Sequence, residues 1–270
     1  MLEPPPTLYK YRRISASTER LLTHGEIKCS SPSEFNDPFE CRPIIHFDSS
    51  HPNSKEWIKT QLSLRGISRP AERVRLLTAF KRRFATPQTA EQMGLTRLFE
   101  SVGIFSLTSK EKDILMWAHY AMEYRGVCIG FDTNSWPFRL AWKVEYSDDY
   151  PVIKRATDSE DASFKKALLT KTTCWEYEQE WRILMRTLDQ NETATLERGR
   201  GPIEEWQLRE HGPGIYTIPK DSITTLIFGL RTSAEDKNKV REWIHVGGIS
   251  PTLYQARQDA KNFKIDLEKC

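Results

Sequence analysis

The chain has 270 residues, 38% of them hydrophobic and 29% charged, which is enough for one large domain or two small ones with a buried core. Its 40 basic residues nearly balance 37 acidic ones, so bulk charge does not indicate a nucleic-acid-binding protein, although local patches remain open. No apolar segment approaches the ~20 residues that span a bilayer, and the five cysteines include no CxxC pair. We therefore predict a cytoplasmic protein with no disulfide framework, no metal site and no membrane partner.

Short strands and grouped helices follow a proline-rich leader. The leader, residues 1–7, is predicted to be disordered, and residues 8–270 are predicted to form a single domain. Strands are predicted, in chain order, at 8–11, 26–30, 102–107, 127–131, 140–146, 180–185, 214–218, 224–228 and 252–256. Helices are predicted at 18–23, 109–124 and 159–170, with Ser109 capping the second, and from Ser233, where Asp236 completes a capping box. Because the helices do not alternate with the strands, the pattern favours an α+β fold.

A helical insertion is predicted over about residues 55–101, which are rich in Leu, Ala, Lys and Arg. We expect three helices there, with Pro70 and Pro87 each at a position where a new helix can begin. Basic side chains cluster in this stretch at Arg65, Arg69, Arg73, Arg75, Lys81, Arg82 and Arg83. The cluster is interpreted as a solvated helical face, with contact to a polyanion as the alternative.

The stretch from Trp175 to Arg182 is the most informative motif, because carboxylates occupy alternate positions in it. The alternating residues are Glu176, Glu178, Glu180 and Arg182. On a strand these four side chains would share one face. Clustered carboxylates raise one another's pKa, which suits acid–base chemistry. The alternative is an exposed edge strand that its charges protect from aggregation.

A second motif, residues 34–40 (EFNDPFE), predicts a rigid turn with its centre at Asn36-Asp37-Pro38. We expect the phenylalanines on either side, Phe35 and Phe39, to anchor this turn to the core. A rigid polar loop of this kind is either a ligand contact through Asn36 and Asp37 or a plain turn, and the sequence leaves both open.

Two further segments contribute candidate residues. In residues 116–121 (MWAHYA), predicted to be helical, Trp117 and Tyr120 lie on neighbouring faces, and His119 is either a ligand-binding group or a structural histidine. In residues 103–108 (GIFSLT), Ser106 and Thr108 share one strand face, where their hydroxyls contact a ligand or cap the following helix.

Several common catalytic motifs do not occur in the sequence. It contains no Walker loop, no GxGxxG fingerprint, no GxSxG elbow, no Cys–His nucleophile signature and no HExxH. These absences exclude a P-loop nucleoside triphosphatase, a Rossmann dehydrogenase and an α/β-hydrolase, and they disfavour a metal site.

Taken together, the motifs resemble a large bacterial family that is catalogued only as a domain of unknown function. They are residues 9–11 (YKY), 35–40 (FNDPFE), 116–121 (MWAHYA) followed by Gly126, and 175–182 (WEYEQEWR). The resemblance spans nearly the whole chain, and it continues through residues 227–231 (IFGLR) into the closing helix and strand. The family name carries no activity, so this resemblance alone implies no function.

A looser resemblance is to ADP-ribosyltransferases, including the DarT type that modifies DNA. It implies a split, mainly antiparallel β-sheet core that binds NAD through three elements in order: an Arg, His or Tyr, then a Ser, Thr or Tyr, then a Glu. Tyr11 or Arg12 matches the first element, and Ser106 with Thr108 matches the second. Residues 178–180 (EQE) match the Glu-x-Glu of arginine-modifying members. The middle element reads Ser-Leu-Thr rather than Ser-Thr-Ser, and the helical insertion has no required counterpart.

This resemblance implies that Glu180 is the catalytic group with Glu178 as its partner, and that Tyr9 or Tyr11 stacks on nicotinamide. A carboxylate would stabilise the oxocarbenium-like state through which nicotinamide departs. With the candidates above, the expected substrate and NAD contacts are Tyr9, Tyr11, Arg12, Asn36, Asp37, Ser106, Thr108, Trp117, His119, Tyr120 and Arg182.

Three functions are therefore weighed. The first is an NAD-dependent ADP-ribosyltransferase that acts on nucleic acid or protein, in a toxin or phage-defence setting. The second is a metal-dependent nuclease using Asp37, Glu40 and the glutamate pair, although the strand reads Glu-x-Arg where a common nuclease pattern has Glu-x-Lys. The third is a non-catalytic nucleic-acid-binding module in which Trp117, Trp175 and Trp181 stack on bases.

Overall fold

A computed structural model describes residues 3–46, 51–54, 56, 69–83, 88–89, 100–154, 157–185 and 212–270. The chain divides into two units. The first unit comprises Met1–Phe35, Ser101–Val144 and Cys174–Cys270, and the second comprises Asn36–Glu100 and Glu145–Thr173. The second unit thus contains the predicted helical insertion together with a later segment of the chain.

Within the described ranges, short strands and a few helices follow one another along the chain. The strands are β1 (Thr7–Arg12), β2 (Glu26–Cys29), β3 (Ile44–His46), β4 (Gln88–Thr89), β5 (Gly103–Thr108), β6 (Val127–Asp132), β7 (Trp142–Lys143), β8 (Glu145–Tyr146), β9 (Val152–Lys154), β10 (Thr170–Lys171), β11 (Glu180–Met185), β12 (Gly214–Thr217), β13 (Ile223–Phe228), β14 (Thr252–Gln258) and β15 (Ile265–Lys269). The α-helices are α1 (Ala16–His24), α2 (Pro70–Arg83), α3 (Ile114–Tyr120), α4 (Glu160–Leu168) and α5 (Ala234–Gly247).

The first unit is built on one open sheet with the strand order β15-β14-β13-β6-β1-β5-β11-β7. Neighbouring strands in it are antiparallel, except that β13 and β14 are parallel. Strand β2 pairs separately with β12 in an antiparallel ribbon. The structure confirms a mixed α+β fold with a mostly antiparallel sheet.

The two faces of this sheet bury different side chains, because successive residues of a strand point to opposite sides. One face carries Leu8, Phe105, Ile129 and Ile183 and packs with residues of α1 and α5; we call it the α1 face. The other face carries Tyr11, Cys128, Ile227 and Ala256 and packs with Met116 and Trp117 of α3; we call it the α3 face. Successive residues of a strand in this sheet therefore belong alternately to the α1 face and the α3 face.

The second unit contains two small sheets and helices α2 and α4. Strand β3 pairs antiparallel with β4 and parallel with β9, and β8 pairs parallel with β10. A buried ion pair joins Lys171 to Glu40 at 3.1 Å. Helix α2 begins at Pro70 as predicted, whereas Gln88–Thr89, where a further helix was expected, form β4. The rest of the predicted three-helix insertion lies largely outside the described residues.

Most predicted elements of the first unit are confirmed, and β11 has the predicted bounds. Ser233 caps helix α5 as predicted, since its hydroxyl accepts a hydrogen bond from the Asp236 N–H at 3.0 Å. Strand β15 was not predicted, and the expected strand at 140–146 is divided into β7 and β8. In the leader, the carbonyl oxygens of Pro5 and Pro6 accept hydrogen bonds from Thr133, and β1 already begins at Thr7.

Helix α3 is shorter than predicted at both ends. It begins after Asp113, whose carboxylate accepts hydrogen bonds from the N–H groups of Leu115 and Met116 at 2.9 and 3.0 Å. The prediction that Ser109 caps it was wrong, because residues 109–112 form a loop. It ends at Tyr120, since the three residues 122–124 adopt positive φ angles that no α-helix continues. Gly126 then passes so close to the Arg12 carbonyl oxygen that a Cβ would collide with it.

Replacing Asp113 with alanine is expected to lower the free energy of unfolding by about 1 kcal/mol, because two helix N–H groups lose their acceptor. Asp113→Asn should retain most of the stability, since its amide oxygen can accept the same bonds. Urea denaturation measures both changes. The control is Ser109→Ala, for which we expect a change below about 0.5 kcal/mol. A larger loss from Ser109→Ala than from Asp113→Ala would contradict the assignment of the cap.

Candidate functional site

The motif from Trp175 to Arg182 is not one strand. Residues Thr173–Glu178 form a 3-10 helix, and β11 begins only at Glu180. Between them Gln179 adopts a φ of 43°, and its N–H donates to the Glu176 carbonyl oxygen at 3.1 Å. The prediction that four alternating side chains share a strand face was therefore wrong for Glu176 and Glu178, because the chain turns before the strand starts. Glu176 is exposed.

Glu180 and Arg182 do share a strand face and form a bidentate ion pair. Nε and one terminal nitrogen of Arg182 donate to the two carboxylate oxygens of Glu180 at 2.8 and 2.9 Å. Both residues are buried, with 0% of Arg182 and 3% of Glu180 exposed. The Arg182 guanidinium also lies 5.2 Å from the centre of the Phe35 ring. This pair fixes the Glu180 carboxylate on the α3 face of the sheet.

The Glu178 carboxylate has a different support. Its Oε1 atom accepts a hydrogen bond from the Tyr120 hydroxyl at 2.6 Å, and its backbone carbonyl accepts one from the Thr108 hydroxyl. The Thr108 oxygen in turn accepts from the Lys110 N–H at 3.0 Å. Helix α3 and strand β5 thus hold Glu178 in a buried position, next to the strand that carries Glu180.

A cross-strand row brings three predicted elements together. Thr108 on β5 is directly opposite Tyr9 on β1, and on its other side it is directly opposite Glu180 on β11. Directly opposite residues of antiparallel strands point to the same face, with Cβ atoms about 4.5–5.5 Å apart. At the next position on the same face of β5, Ser106 is directly opposite Arg182. Tyr9, Thr108 and Glu180 therefore form one row on the α3 face.

The two predicted tyrosines differ in their surroundings. Tyr9 is half-buried, and burial, assisted by the nearby Glu111, raises its pKa to about 12. Tyr11 is buried, its hydroxyl donates to the Lys110 carbonyl at 2.8 Å, and its ring meets Trp117 edge-on at 5.0 Å. Trp117 is fully buried, with its indole N–H on the Glu111 carbonyl. Tyr11 and Trp117 are therefore core residues, and Tyr9 is the aromatic that can meet a ligand.

Arg12 is separated from the row by strand alternation, because it points to the α1 face. Its guanidinium donates to the hydroxyls of Thr18 and Ser17 at 3.2 and 2.9 Å, and burial lowers its pKa to about 10. Arg12, one of the two residues matched to the first NAD-binding element, thus lies on the opposite face of the sheet from Thr108 and Glu180.

Lys10 was missed in the sequence, although the same alternation places it directly behind the row. Its ammonium donates to the Ser106 carbonyl at 2.5 Å and lies 4.5 Å from the centre of the Phe105 ring. Burial, followed by the charge of Arg12, lowers the pKa of Lys10 to about 8, while Glu180 acts in the opposite direction. The sequence of β1, in which aromatic and basic residues alternate, does not indicate that the Lys10 ammonium is desolvated.

The remaining candidates are not members of the row. Asn36 and Asp37 belong to the second unit, where the Asp37 carboxylate accepts from the Phe39 N–H at 2.8 Å. Phe39 is 64% exposed, so the prediction that it anchors this turn was wrong. His119 is exposed, and its Nδ1 lies 2.9 Å from the Tyr177 hydroxyl. Trp181 is buried on the α1 face and Trp117 on the α3 face, so neither ring is accessible for the predicted stacking on bases.

In the part of the chain that the structure describes, no three or more His, Cys, Asp or Glu side chains are grouped so that they could bind a metal ion. None of the helices described there combines the length and the apolar character that a membrane span requires.

The chain is similar to a protein family of unknown function, DUF2971, whose model matches residues 116–183. This match covers about a quarter of the chain and includes the segments 116–121 (MWAHYA) and 175–182 (WEYEQEWR). It confirms, over these residues, the predicted resemblance to a family of unknown function. No curated protein and no solved structure matches the chain significantly.

Replacing Arg182 with methionine is expected to lower the free energy of unfolding by about 3–5 kcal/mol, because the Glu180 carboxylate would remain buried without its partner. The matched control is the Arg257–Glu268 pair, which has the same 2.8 Å contact but side chains 61% and 62% exposed. We expect Arg257→Met to cost less than about 1 kcal/mol. Denaturant titration of both variants is the measurement, and similar losses would show that burial does not set the strength of the Glu180 pair.

The stability of the protein should also depend on pH through Lys10. Its pKa falls from 10.5 to about 8 on folding, so between these values the unfolded chain binds a proton that the folded protein has lost. The free energy of unfolding of the wild type should therefore rise with pH in this window, relative to that of Lys10→Met. Urea titrations across the window test this, and parallel profiles for the two proteins would argue against a desolvated ammonium.

Proposed function

We propose that the protein transfers ADP-ribose from NAD to a nucleic-acid or protein acceptor, in the toxin or phage-defence setting that the DarT resemblance implies. The observation that carries this proposal is the row Tyr9–Thr108–Glu180 on three adjacent strands. An aromatic, a hydroxyl and a carboxylate occur there in the order that the resemblance to ADP-ribosyltransferases requires. Within that order the geometry favours Tyr9 over Tyr11 or Arg12, and Thr108 over Ser106.

The side chains in and beside the row suit the parts of NAD that react. NAD offers a planar cationic nicotinamide ring joined to a ribose with two free hydroxyls. The half-buried ring of Tyr9 can stack on nicotinamide, and the Glu180 carboxylate can orient the ribose hydroxyls and stabilise the positive charge that develops as nicotinamide leaves. Arg182 can position that carboxylate through two parallel hydrogen bonds.

Glu178 has the position expected of the second carboxylate. It lies two residues before Glu180, is buried, and receives the Tyr120 hydroxyl at 2.6 Å. A carboxylate at this place can accept the proton of the attacking acceptor group. Tyr120 then acts as a positioning residue, since its hydroxyl donates a short hydrogen bond to a carboxylate oxygen of Glu178.

A metal-dependent nuclease is less well supported. Among the residues that the structure describes, no three or more His, Cys, Asp or Glu side chains are grouped so that they could bind a metal ion. Glu40, one of the ligands weighed for it, forms a buried ion pair with Lys171.

The test measures nicotinamide release from NAD and transfer of labelled ADP-ribose to cell lysate. We expect Glu180→Gln to lower nicotinamide release by about 10²–10³-fold, as does loss of one electrostatic contact to a transition state. Glu178→Gln should abolish transfer to the acceptor more severely than it slows nicotinamide release. The matched control is Glu176→Gln, which removes an exposed carboxylate from the same segment and should leave both rates unchanged.

A loss of activity in Glu180→Gln could come from a loss of stability, because this substitution also removes the charge that pairs with Arg182. A second pair of variants, at a residue outside the ion pair, is therefore needed. Tyr9→Phe and Tyr9→Leu are such variants, because they leave the Arg182–Glu180 pair unchanged. The phenylalanine retains the ring and should keep nicotinamide release, whereas the leucine fills similar space without a ring and should raise the KM for NAD. No release of nicotinamide by the wild type would refute the proposal, and so would equal rates for folded Glu180→Gln and wild type.

A further inference from the structure

Strand β15 forms one edge of the eight-stranded sheet of the first unit. Among the strands of the described ranges, β14 alone pairs with it, so one side of its backbone faces away from the sheet. We call this outer side the β15 edge. Edge strands can pair with a further strand through their outward N–H and C=O groups, so the β15 edge is a candidate interaction surface.

The hydrogen bonds to β14 determine which residues of β15 point outward. The Cys270 N–H donates to the Leu253 carbonyl, and the Asp259 N–H donates to the Lys264 carbonyl, both at 3.0 Å. In an antiparallel pair, only every second residue directs its backbone groups toward a given neighbour. The even-numbered residues of 264–270 therefore bond to β14. The residues whose backbone groups point outward are Ile265, Leu267 and Lys269.

Apolar side chains lie beside the β15 edge. Phe263, which directly precedes this segment, is 96% exposed. It lines an open groove together with Ile114 and Leu115 at the start of α3, and these two are 38% and 45% exposed. Two charged residues of opposite sign border the same groove, namely Lys112 and Asp113. Exposed apolar side chains next to an unpaired strand edge are typical of a surface that a partner covers.

A second copy of the chain can pair with this edge in only a few registers. Two identical strands pair antiparallel about a two-fold axis, and the residue beside the axis lies opposite itself. Three positions of the axis, at Asp266, Leu267 or Glu268, overlap at least three residues of β15 with its copy. An axis at Leu267 sets Asp266 opposite Glu268 at two places, and an axis at Glu268 sets that residue opposite itself. Both registers pair like charges, which is destabilising.

An axis at Asp266 instead pairs opposite charges. It sets Lys264 of each copy opposite Glu268 of the other, at two places related by the axis. Because the backbone groups of both residues point toward β14, these are non-hydrogen-bonded pairs, in which side chains approach most closely. Glu268 already accepts a hydrogen bond from Arg257 at 2.8 Å, and a carboxylate can accept a second one. Asp266 lies opposite its own copy, so two attractive pairs outweigh one repulsive pair.

Apolar side chains meet in the same register. Ile265 of each copy lies opposite Leu267 of the other, and both residues belong to the α3 face. Phe263 then lies beside the second copy instead of projecting into solvent. The register that pairs the charges therefore also covers the most exposed apolar ring of this edge.

We propose that the β15 edge pairs antiparallel with the β15 edge of a second copy of this chain, with the two-fold axis at Asp266. The sheets of the two first units then form one continuous sheet. One strand supplies both halves of each ion pair, Lys264 and Glu268, so the edge is complementary to itself, as a two-fold interface requires. This pairing does not depend on the proposed transferase activity.

Sedimentation equilibrium of the full-length protein over a range of concentrations measures the pairing. We expect the wild type to approach twice the monomer mass. Lys264→Glu and Glu268→Lys should each raise the dissociation constant about tenfold or more, because two opposite-charge pairs become like-charge pairs. An equal mixture of these two variants should regain the affinity, since opposite charges again face each other at both places. Asp266→Asn should strengthen the pairing, because it removes the like-charge pair at the axis.

The mixture separates pairing from folding, because a variant that fails to fold cannot restore a partner. It also retains the loss of the Arg257–Glu268 bond in Glu268→Lys, so recovery cannot come from that bond. The matched control is Lys239→Glu, which makes the same charge change at an exposed lysine of α5 and should pair like the wild type.

Cysteine cross-linking identifies the register. The exposed Cys174 and Cys270 are first replaced by serine. Under mild oxidation, Asp266→Cys should then form a covalent dimer, because the axis sets this residue opposite itself within disulfide distance. Leu267→Cys should remain largely uncross-linked, since it lies opposite Ile265 of the second copy.

Three results would overturn the proposal. They are a wild type that stays monomeric at every concentration, a mixture of the two charge variants that pairs no better than either variant alone, and faster cross-linking of Leu267→Cys than of Asp266→Cys. Recovery in the mixture together with selective cross-linking of Asp266→Cys would support both the partner and the register.

Discussion

Burying a guanidinium and a carboxylate costs several kcal/mol for each ion, and the cost is recovered only when the two meet with good geometry. Arg182 and Glu180 meet this condition through two parallel hydrogen bonds within one strand. The pair requires that β11 begin at Glu180 and that it occupy an interior place in the sheet, between β5 and β7. Because Thr108 and Ser106 on β5 lie directly opposite Glu180 and Arg182, the ion pair is the constraint that sets the Glu180 carboxylate beside β5.

The second carboxylate shows how distant parts of the sequence meet. Tyr120 on α3 and Thr108 on β5 both bond to Glu178, which lies some 60–70 residues further along the chain. The segments 116–121 and 175–182 therefore form one structural feature, and both fall within the match to the family of unknown function. Trp117 contributes by packing α3 onto the sheet, because its buried ring meets Tyr11 edge-on. Residues 116–121 thus supply both Trp117, which packs α3 onto the sheet, and Tyr120, which contacts Glu178.

Sequence patterns predicted much of this fold but less of the site. Strand β11 and the capped start of α5 follow from local signals, namely a run of apolar residues and a Ser-x-x-Asp box. The placement of Arg12 behind the sheet also follows from alternation, once Tyr11 is assigned to the core. The register that sets Tyr9 opposite Thr108 depends on pairing across the chain, which no local pattern records. Likewise, the positive φ of Gln179 interrupts an alternation that looks continuous in the sequence.

That interruption gives the two glutamates independent supports. A left-handed conformation costs a non-glycine residue about 1–2 kcal/mol, so the surroundings of Gln179 must enforce it. Glu180 is tied to its own strand, whereas Glu178 is tied to α3 through Tyr120. The backbone of Glu178 is in addition tied to β5 through Thr108, the residue directly opposite Glu180. The side chain of one acidic group thus answers to a helix, whereas that of the other answers to the strand that carries it.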